Sequence, residues 1–83
     1  MDESELRARA DNGDIEAIYE LIDLATERGD IGELRRLSDR GDPNATDQLI
    51  ELATELDDLD ELRRLADKGN ITAAEVLAEL TAE

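Results

Sequence analysis

The chain has 83 residues, enough for one small domain whose hydrophobic core must be thin. It contains neither Cys nor His, so it has no disulfides and lacks both the commonest general base and the strongest nucleophile. Its formal net charge of -15 opposes contact with nucleic-acid phosphates and anionic membranes and favours a basic partner, although such a charge also keeps a small domain soluble and monomeric.

The predicted elements, taken in chain order, are six helices separated by short turns. A glycine followed by Asp or Asn recurs at positions 13–14, 41–42 and 69–70, where the glycine ends one helix and the polar residue caps the next. A second type of break is Gly29-Asp30. It recurs at 57–58 as Asp-Asp, so the glycine is replaced there but the capping Asp is kept. The predicted helices are 3–12, 15–28, 31–40, 43–56, 59–68 and 71–82.

The same turns mark three copies of one motif at a spacing of 28 residues, because 5–27, 33–55 and 61–83 align without a gap. Apolar residues share one face of each helix: Ile31, Leu34, Leu37, Leu59, Leu62 and Leu65 in the leading helices, and Ala17, Leu21, Leu24, Ala25, Ala45, Leu49, Leu52, Ala53, Ala73, Leu77 and Leu80 in the following ones. A single hairpin cannot bury such a face, so neighbours must stack. The sequence predicts an all-α fold, an α-solenoid of three helix-turn-helix hairpins, in one domain over 1–83 with repeats 5–32, 33–60 and 61–83.

The composition agrees with helices that pack closely. Apolar residues make up 40% of the sequence, but Phe and Trp are absent and Tyr19 is the only Tyr. A core of Leu, Ile and Ala suits helices better than sheets. No apolar run is long enough to span a membrane, and the acidic start of the chain is unlike a secretory signal. We therefore expect a soluble, cytoplasmic protein.

A departure in the first copy indicates a capping hairpin and favours a complete array of three hairpins, with a piece of a longer array as the alternative. Arg9 stands where the later copies have Leu37 and Leu65, as fits an outermost helix whose far side meets water. In the last helix, Val76 is a mild candidate for an exposed apolar contact. We expect a monomer, with self-association through the hairpin ends as the alternative.

The third copy contains the segment ADKGNITAAEVLAEL, in which Ala and Leu follow a Gly-Asn turn at helical spacing. This pattern resembles the short SEL-like variety of the tetratricopeptide superfamily. The resemblance covers the whole chain, but the period is 28 residues rather than about 34, and the family's Trp, Leu-Gly and Tyr signature is absent. It implies a scaffold that binds peptides or proteins in a concave groove, and it assigns no functional residue. The regular period also leaves open an engineered or consensus-derived array.

No pattern of residues points to catalysis, a cofactor or a metal site. The carboxylates recur at matching positions in each copy, as solvated helix faces and caps would. Without His or Cys, zinc would have only carboxylate ligands. The acidic stretch ELDDLDEL, residues 55–62, lacks the central Gly and distal Glu of a calcium-binding EF-hand loop.

The first candidate binding site is a set of recurring arginines, Arg35 and Arg36 in the second copy and Arg63 and Arg64 in the third, with Arg7 equivalent to the first of each pair. Stacked hairpins would align them in rows that could hold a carboxylate-rich peptide. The alternative is pairing within the chain. Acidic residues are available for it: Asp39 and Asp67 lie four residues after Arg35 and Arg63, and Glu33 and Glu61 are nearby.

The second candidate is Tyr19, whose equivalents in the other copies are Asp47 and Glu75. We therefore expect it to be exposed, either as a contact anchor for a partner or as a cover for the edge of the first hairpin. Together these features favour a noncatalytic protein-binding scaffold with a basic partner. The alternatives are a structural or engineered scaffold without a ligand, and an acidic nucleic-acid mimic that occupies a DNA-binding protein.

Overall fold

The structure is a computed structural model that describes residues 2–82, and it consists of six α-helices within that range. They are α1 (Glu3–Asp11), α2 (Ile15–Arg28), α3 (Ile31–Asp39), α4 (Pro43–Glu55), α5 (Leu59–Asp67) and α6 (Ile71–Thr81). Each begins at the predicted residue, and each except α2 ends one residue before the predicted end. The difference arises because the prediction included the C-cap, such as Asn12, whose amide still donates to the preceding turn.

The helix starts are fixed by caps at the predicted turns. An Asp or Asn side chain precedes each helix and accepts a hydrogen bond from a backbone amide two or three residues later. At α6, for example, the amide of Ala73 donates to Asn70 Oδ1 at 2.8 Å. Pro43 follows the Asp42 cap at the first turn of α4, where an amide hydrogen would have no helical partner.

The turn between α4 and α5 differs from its counterpart between α2 and α3 in one residue. Gly29 ends α2 in the left-handed conformation, with φ of 66°. Asp57 adopts the same conformation at the equivalent position, with φ of 53°, and is the single described non-glycine residue with a positive φ. The backbone therefore keeps the turn even where the glycine is missing.

Consecutive helices pair as three adjacent hairpins, α1 with α2, α3 with α4 and α5 with α6. Neighbouring hairpins are joined through the second helices, since α2 packs on α3 and α4, and α4 packs on α5 and α6. The arrangement is elongated, with extents of 47 × 23 × 15 Å. No helix among the described residues has the length and apolar character needed to cross a membrane.

The core is a continuous layer of small and branched aliphatic residues between the helices. Its largest fully buried side chains are Leu21, Leu34, Leu49 and Leu62, all on the predicted stripes. Four further buried apolar residues were not on those stripes: Leu6 and Ala10 in α1, and Ile22 and Ile50 in the following helices. Ile22 lines a cleft with residues of α4, so it serves the joint between hairpins rather than the hairpin itself.

The last helix is the least buried. Ala73 is the only buried residue of α6, and Leu77 and Val76 are half-buried. The large exposed apolar residues of α6 are Ile71 and Leu80, so the prediction that Leu80 shares the buried stripe was wrong. The expectation for Val76 was thus wrong, because this side chain packs against the core.

Candidate functional site

The first helices of neighbouring hairpins are linked by long charged side chains instead of close packing. No Cα atom of α1 lies within 8 Å of one in α3, and the same is true of α3 and α5. Arg7 Nη2 bridges the first gap to Glu33 Oε2 at 3.1 Å, and Arg35 Nε bridges the second to Glu61 Oε1 at 2.7 Å. We call this series of contacts the arginine–glutamate ladder.

Each acceptor of the ladder also binds the arginine three residues ahead of it on its own helix. Arg36 donates to Glu33 at 2.6 Å, and Arg64 donates to both oxygens of Glu61 at 2.8 to 3.1 Å. The Glu61 side chain is 1% exposed. Burial alone would raise its pKa, but the hydrogen bonds from Arg64 and Arg35 outweigh burial and lower it. Glu61 is therefore a buried carboxylate that stays ionised because two guanidinium groups hold it.

A second set of ion pairs runs beside the ladder. Asp39 at the end of α3 accepts from Lys68 at 2.7 Å and from Arg64 at 3.2 Å, and Lys68 first and then Arg64 lower its pKa. Asp11 at the end of α1 occupies the equivalent position and pairs with Arg40 and, at 3.6 Å, with Arg36. An aspartate of one hairpin thus meets two basic residues of the next.

The arginines singled out in the sequence fall into two groups. Arg35, Arg36 and Arg64 are engaged in the ion pairs just described, so their guanidinium groups bind within the chain. Arg63 is different, because its only ion pair among the described residues is with Asp60, at 3.7 Å, where the side chains are 56% and 98% exposed.

Pairing within the chain, the alternative weighed for these arginines, is therefore present. The nearby acids Glu33 and Glu61 take part in it as expected, but the pairing of Arg35 with Asp39 does not occur. Arg35 was expected to meet Asp39 on its own helix. It reaches Glu61 on the next hairpin instead, and Asp39 pairs with Arg64 and Lys68. Spacing along one helix could not reveal this, since the partners depend on how neighbouring hairpins are offset.

Charge is divided unequally between the two rows of helices. The leading helices α1, α3 and α5, with their C-caps, carry eight basic and eight acidic residues. The following helices α2, α4 and α6 carry nine acidic residues and one basic residue, Arg28, which donates to Glu3 at 2.9 Å. We call these nine carboxylates the acidic face; they are Glu16, Glu20, Asp23, Glu27, Asp47, Glu51, Glu55, Glu75 and Glu79.

All nine residues of the acidic face are exposed, and none belongs to an ion pair of the described residues. The net negative charge of the protein is therefore concentrated on one row of helices and on the helix caps. The nine carboxylates of the helices have no basic partner among the described residues, whereas the capping Asp14 is paired with Arg9. A concentrated field of this kind attracts cationic groups more strongly than the same charge spread evenly. Counting charges helix by helix would have found this face in the sequence.

Tyr19 lies within the acidic face. It is 49% exposed and lines an open cleft of about 380 Å³ between α2 and α4, together with Ile22, Asp23 and Asp47. The predicted exposure of Tyr19 is confirmed. A cleft that is lined by an aromatic ring and two carboxylates is suited to a Lys or Arg side chain, because the ring face and both charges attract a cation.

No group of three or more carboxylates within residues 2–82 could hold a metal ion. In comparisons with protein-family models, curated proteins and solved structures, none matched this chain.

Proposed function

We propose that the chain is a noncatalytic interaction module, a short solenoid of the tetratricopeptide type, which binds a basic segment of a partner protein along the acidic face. The observation that carries the proposal is the segregation of charge. Nine exposed carboxylates on α2, α4 and α6 lack ion-pair partners among the described residues, whereas the arginines of α1, α3 and α5 are mostly paired.

Tyr19 gives this surface a place where affinity would be concentrated. A lysine or arginine of the partner would enter the cleft between α2 and α4, stack on the ring and meet Asp23 and Asp47. The remaining carboxylates act over a longer range, steering a basic segment toward the surface and fixing its direction. Binding of this kind weakens as salt screens the exposed charges.

The proposal is tested by titrating the protein with a short oligolysine peptide. Tyr19 is the only aromatic residue, so its intrinsic fluorescence reports binding at the cleft without a label. We expect saturable binding at low ionic strength and at least about tenfold weaker binding at 0.5 M salt.

Two triple variants separate the acidic face from net charge. The first neutralises three carboxylates of the acidic face, with Asp23→Asn, Asp47→Asn and Glu51→Gln; the two aspartates line the cleft with Tyr19. The matched control neutralises three exposed carboxylates outside the acidic face, with Glu5→Gln, Asp57→Asn and Asp60→Asn. We expect the first variant to lose most of the affinity and the control to keep it. Equal losses in both would mean that the peptide responds to total charge, and the acidic face would then have no special role.

A further inference from the structure

The outer side of α5, which faces away from α3, repeats the surface that α1 and α3 each present to the next hairpin. Arg63 occupies the position of Arg7 and Arg35, and Asp67 occupies the position of Asp11 and Asp39. Both are exposed, and Asp67 has no ion pair among the described residues. We call this side of the α5–α6 hairpin the end face.

The two internal joints show what such a surface binds. In the first, α3 offers Glu33 to Arg7, and Arg36 and Arg40 to Asp11. In the second, α5 presents the same residue types at the same intervals: Glu61 binds Arg35, and Arg64 and Lys68 bind Asp39. In each joint, the leading helix of the following hairpin, which we call the incoming helix, thus carries a Glu at position i and basic residues at positions i+3 and i+7.

An apolar residue at i+4 completes the incoming helix. Leu37 lines a cleft with Ala10, Gly13 and Ile18 of the preceding hairpin, and Leu65 lines the equivalent cleft with Thr46. At the end face, the residues equivalent to Ala10 and Ile18 are Ala66 and Ala74, whose small side chains leave room for a leucine. The end face therefore combines two small apolar residues with two exposed charges. Asp67 has no ion pair among the described residues, and Arg63 has one exposed pair, with Asp60 at 3.7 Å.

We propose that the end face binds a helix of a partner protein with the pattern Glu-x-x-Arg-Leu-x-x-Arg or Lys, in the manner of the internal joints. Its charged residues, Arg63 and Asp67, lie on α5, which carries no residue of the acidic face. The occupant carries more positive than negative charge, which complements a protein of net charge -15. A second copy of the chain is a poor occupant. Its α1 offers Glu5 in register but has Ala8, Arg9 and Asn12 at the other three positions.

The same mismatch provides the test, because three substitutions convert α1 into the proposed partner helix. The helix variant carries Ala8→Arg, Arg9→Leu and Asn12→Arg, and its own end face is blocked by Arg63→Glu and Asp67→Lys. The control variant carries only the two blocking substitutions. Each is mixed with the unmodified protein, and the molar mass is measured by light scattering on a sizing column.

We expect a 1:1 complex between the helix variant and the unmodified protein, and none with the control variant. Reversing Arg63 and Asp67 in the unmodified protein should then weaken the complex at least about tenfold, since like charges would face each other. Far-UV circular dichroism establishes that each chain is folded. If Arg9→Leu impairs folding, the variant that retains Arg9 is used in the same comparison.

Either of two results would overturn the proposal. One is the absence of a complex at millimolar concentrations of folded protein. The other is a complex that persists when the end face is reversed, because association would then occur through another surface.

Discussion

Glu61 shows how a single residue joins two hairpins. Its carboxylate lies almost without exposure to solvent, yet it stays charged because Arg35 from the preceding hairpin and Arg64 from its own helix both donate to it. Removing the acceptor charge leaves two guanidinium groups without their strongest partner, and these groups are only partly solvated.

We therefore expect Glu61→Gln to lower the free energy of unfolding by about 1 to 3 kcal/mol at neutral pH. The measurement is urea unfolding followed by circular dichroism. Glu5→Gln is the matched control, since Glu5 occupies the same position in the first copy but is exposed and forms no ion pair among the described residues. It should change stability by less than about 0.5 kcal/mol. Similar values for the two variants would show that the ladder does not stabilise the joint.

At the scale of the element, residues close in the sequence determine where each helix begins and ends. The start of each helix was predictable because an Asp or Asn cap acts on amides only two or three residues away. The same is true of the left-handed turns. Burial of Glu33 and Glu61 was not predictable from their own helices alone, because it also depends on an arginine of the preceding hairpin, Arg7 or Arg35.

Neighbouring hairpins also decide which apolar residues beyond the stripes are buried. Ile22 and Ile50 lie off the face that closes their own hairpins, so helical periodicity within one hairpin does not select them. Their burial requires the following hairpin, and the equivalent residue of α6, Ala78, is exposed. Sequence therefore predicted the hairpins well and the joints between them less well, because the offset between hairpins is a tertiary property.

The turn after α4 gives a prediction at this scale. Asp57 holds a left-handed conformation that costs a residue with a Cβ atom more than it costs glycine. We expect Asp57→Gly to raise the free energy of unfolding by about 0.5 to 1 kcal/mol. The reverse change at the equivalent position, Gly29→Ala, should lower it by about 1 kcal/mol or more, although the added methyl group would meet no other atom within 4 Å. Urea midpoints of both variants test the pair, and a gain for Gly29→Ala would contradict it.

At the scale of the whole molecule, two electrostatic effects oppose each other. The net charge of -15 at pH 7 repels itself and weakens the compact state, so mild acidification should relieve that repulsion. The paired carboxylates act in the other direction. Hydrogen bonds from Arg9 and from the backbone amide of Ala17 lower the pKa of Asp14, and the pKa values of Asp39 and Glu61 are also lowered.

A carboxyl group whose pKa is lower in the folded chain contributes stability that is fully present above its unfolded pKa, about 4, and is lost as the pH falls through its folded value. We therefore expect the thermal midpoint to stay level or rise from about pH 7 to about pH 5 and to fall below about pH 4. Circular dichroism melts across this range are the measurement. A midpoint that drops steadily from pH 7 would mean that self-repulsion is negligible. The difference in thermal midpoint between Glu61→Gln and the unmodified protein should become smaller below about pH 4, because protonation of Glu61 removes the same charge as the substitution.

The regular offset of the joints also bears on how a gene for such a protein can change. Arg7 reaches Glu33 as Arg35 reaches Glu61, and Asp11 meets its bases as Asp39 does. Loss of the codons for residues 33–60 would bring Glu61 and Leu65 to the positions that Glu33 and Leu37 hold against the first hairpin. Duplication of the same segment would recreate both kinds of contact once more. Gains and losses in whole units preserve every type of joint, whereas an insertion of any other length within a helix would move the charged partners out of register.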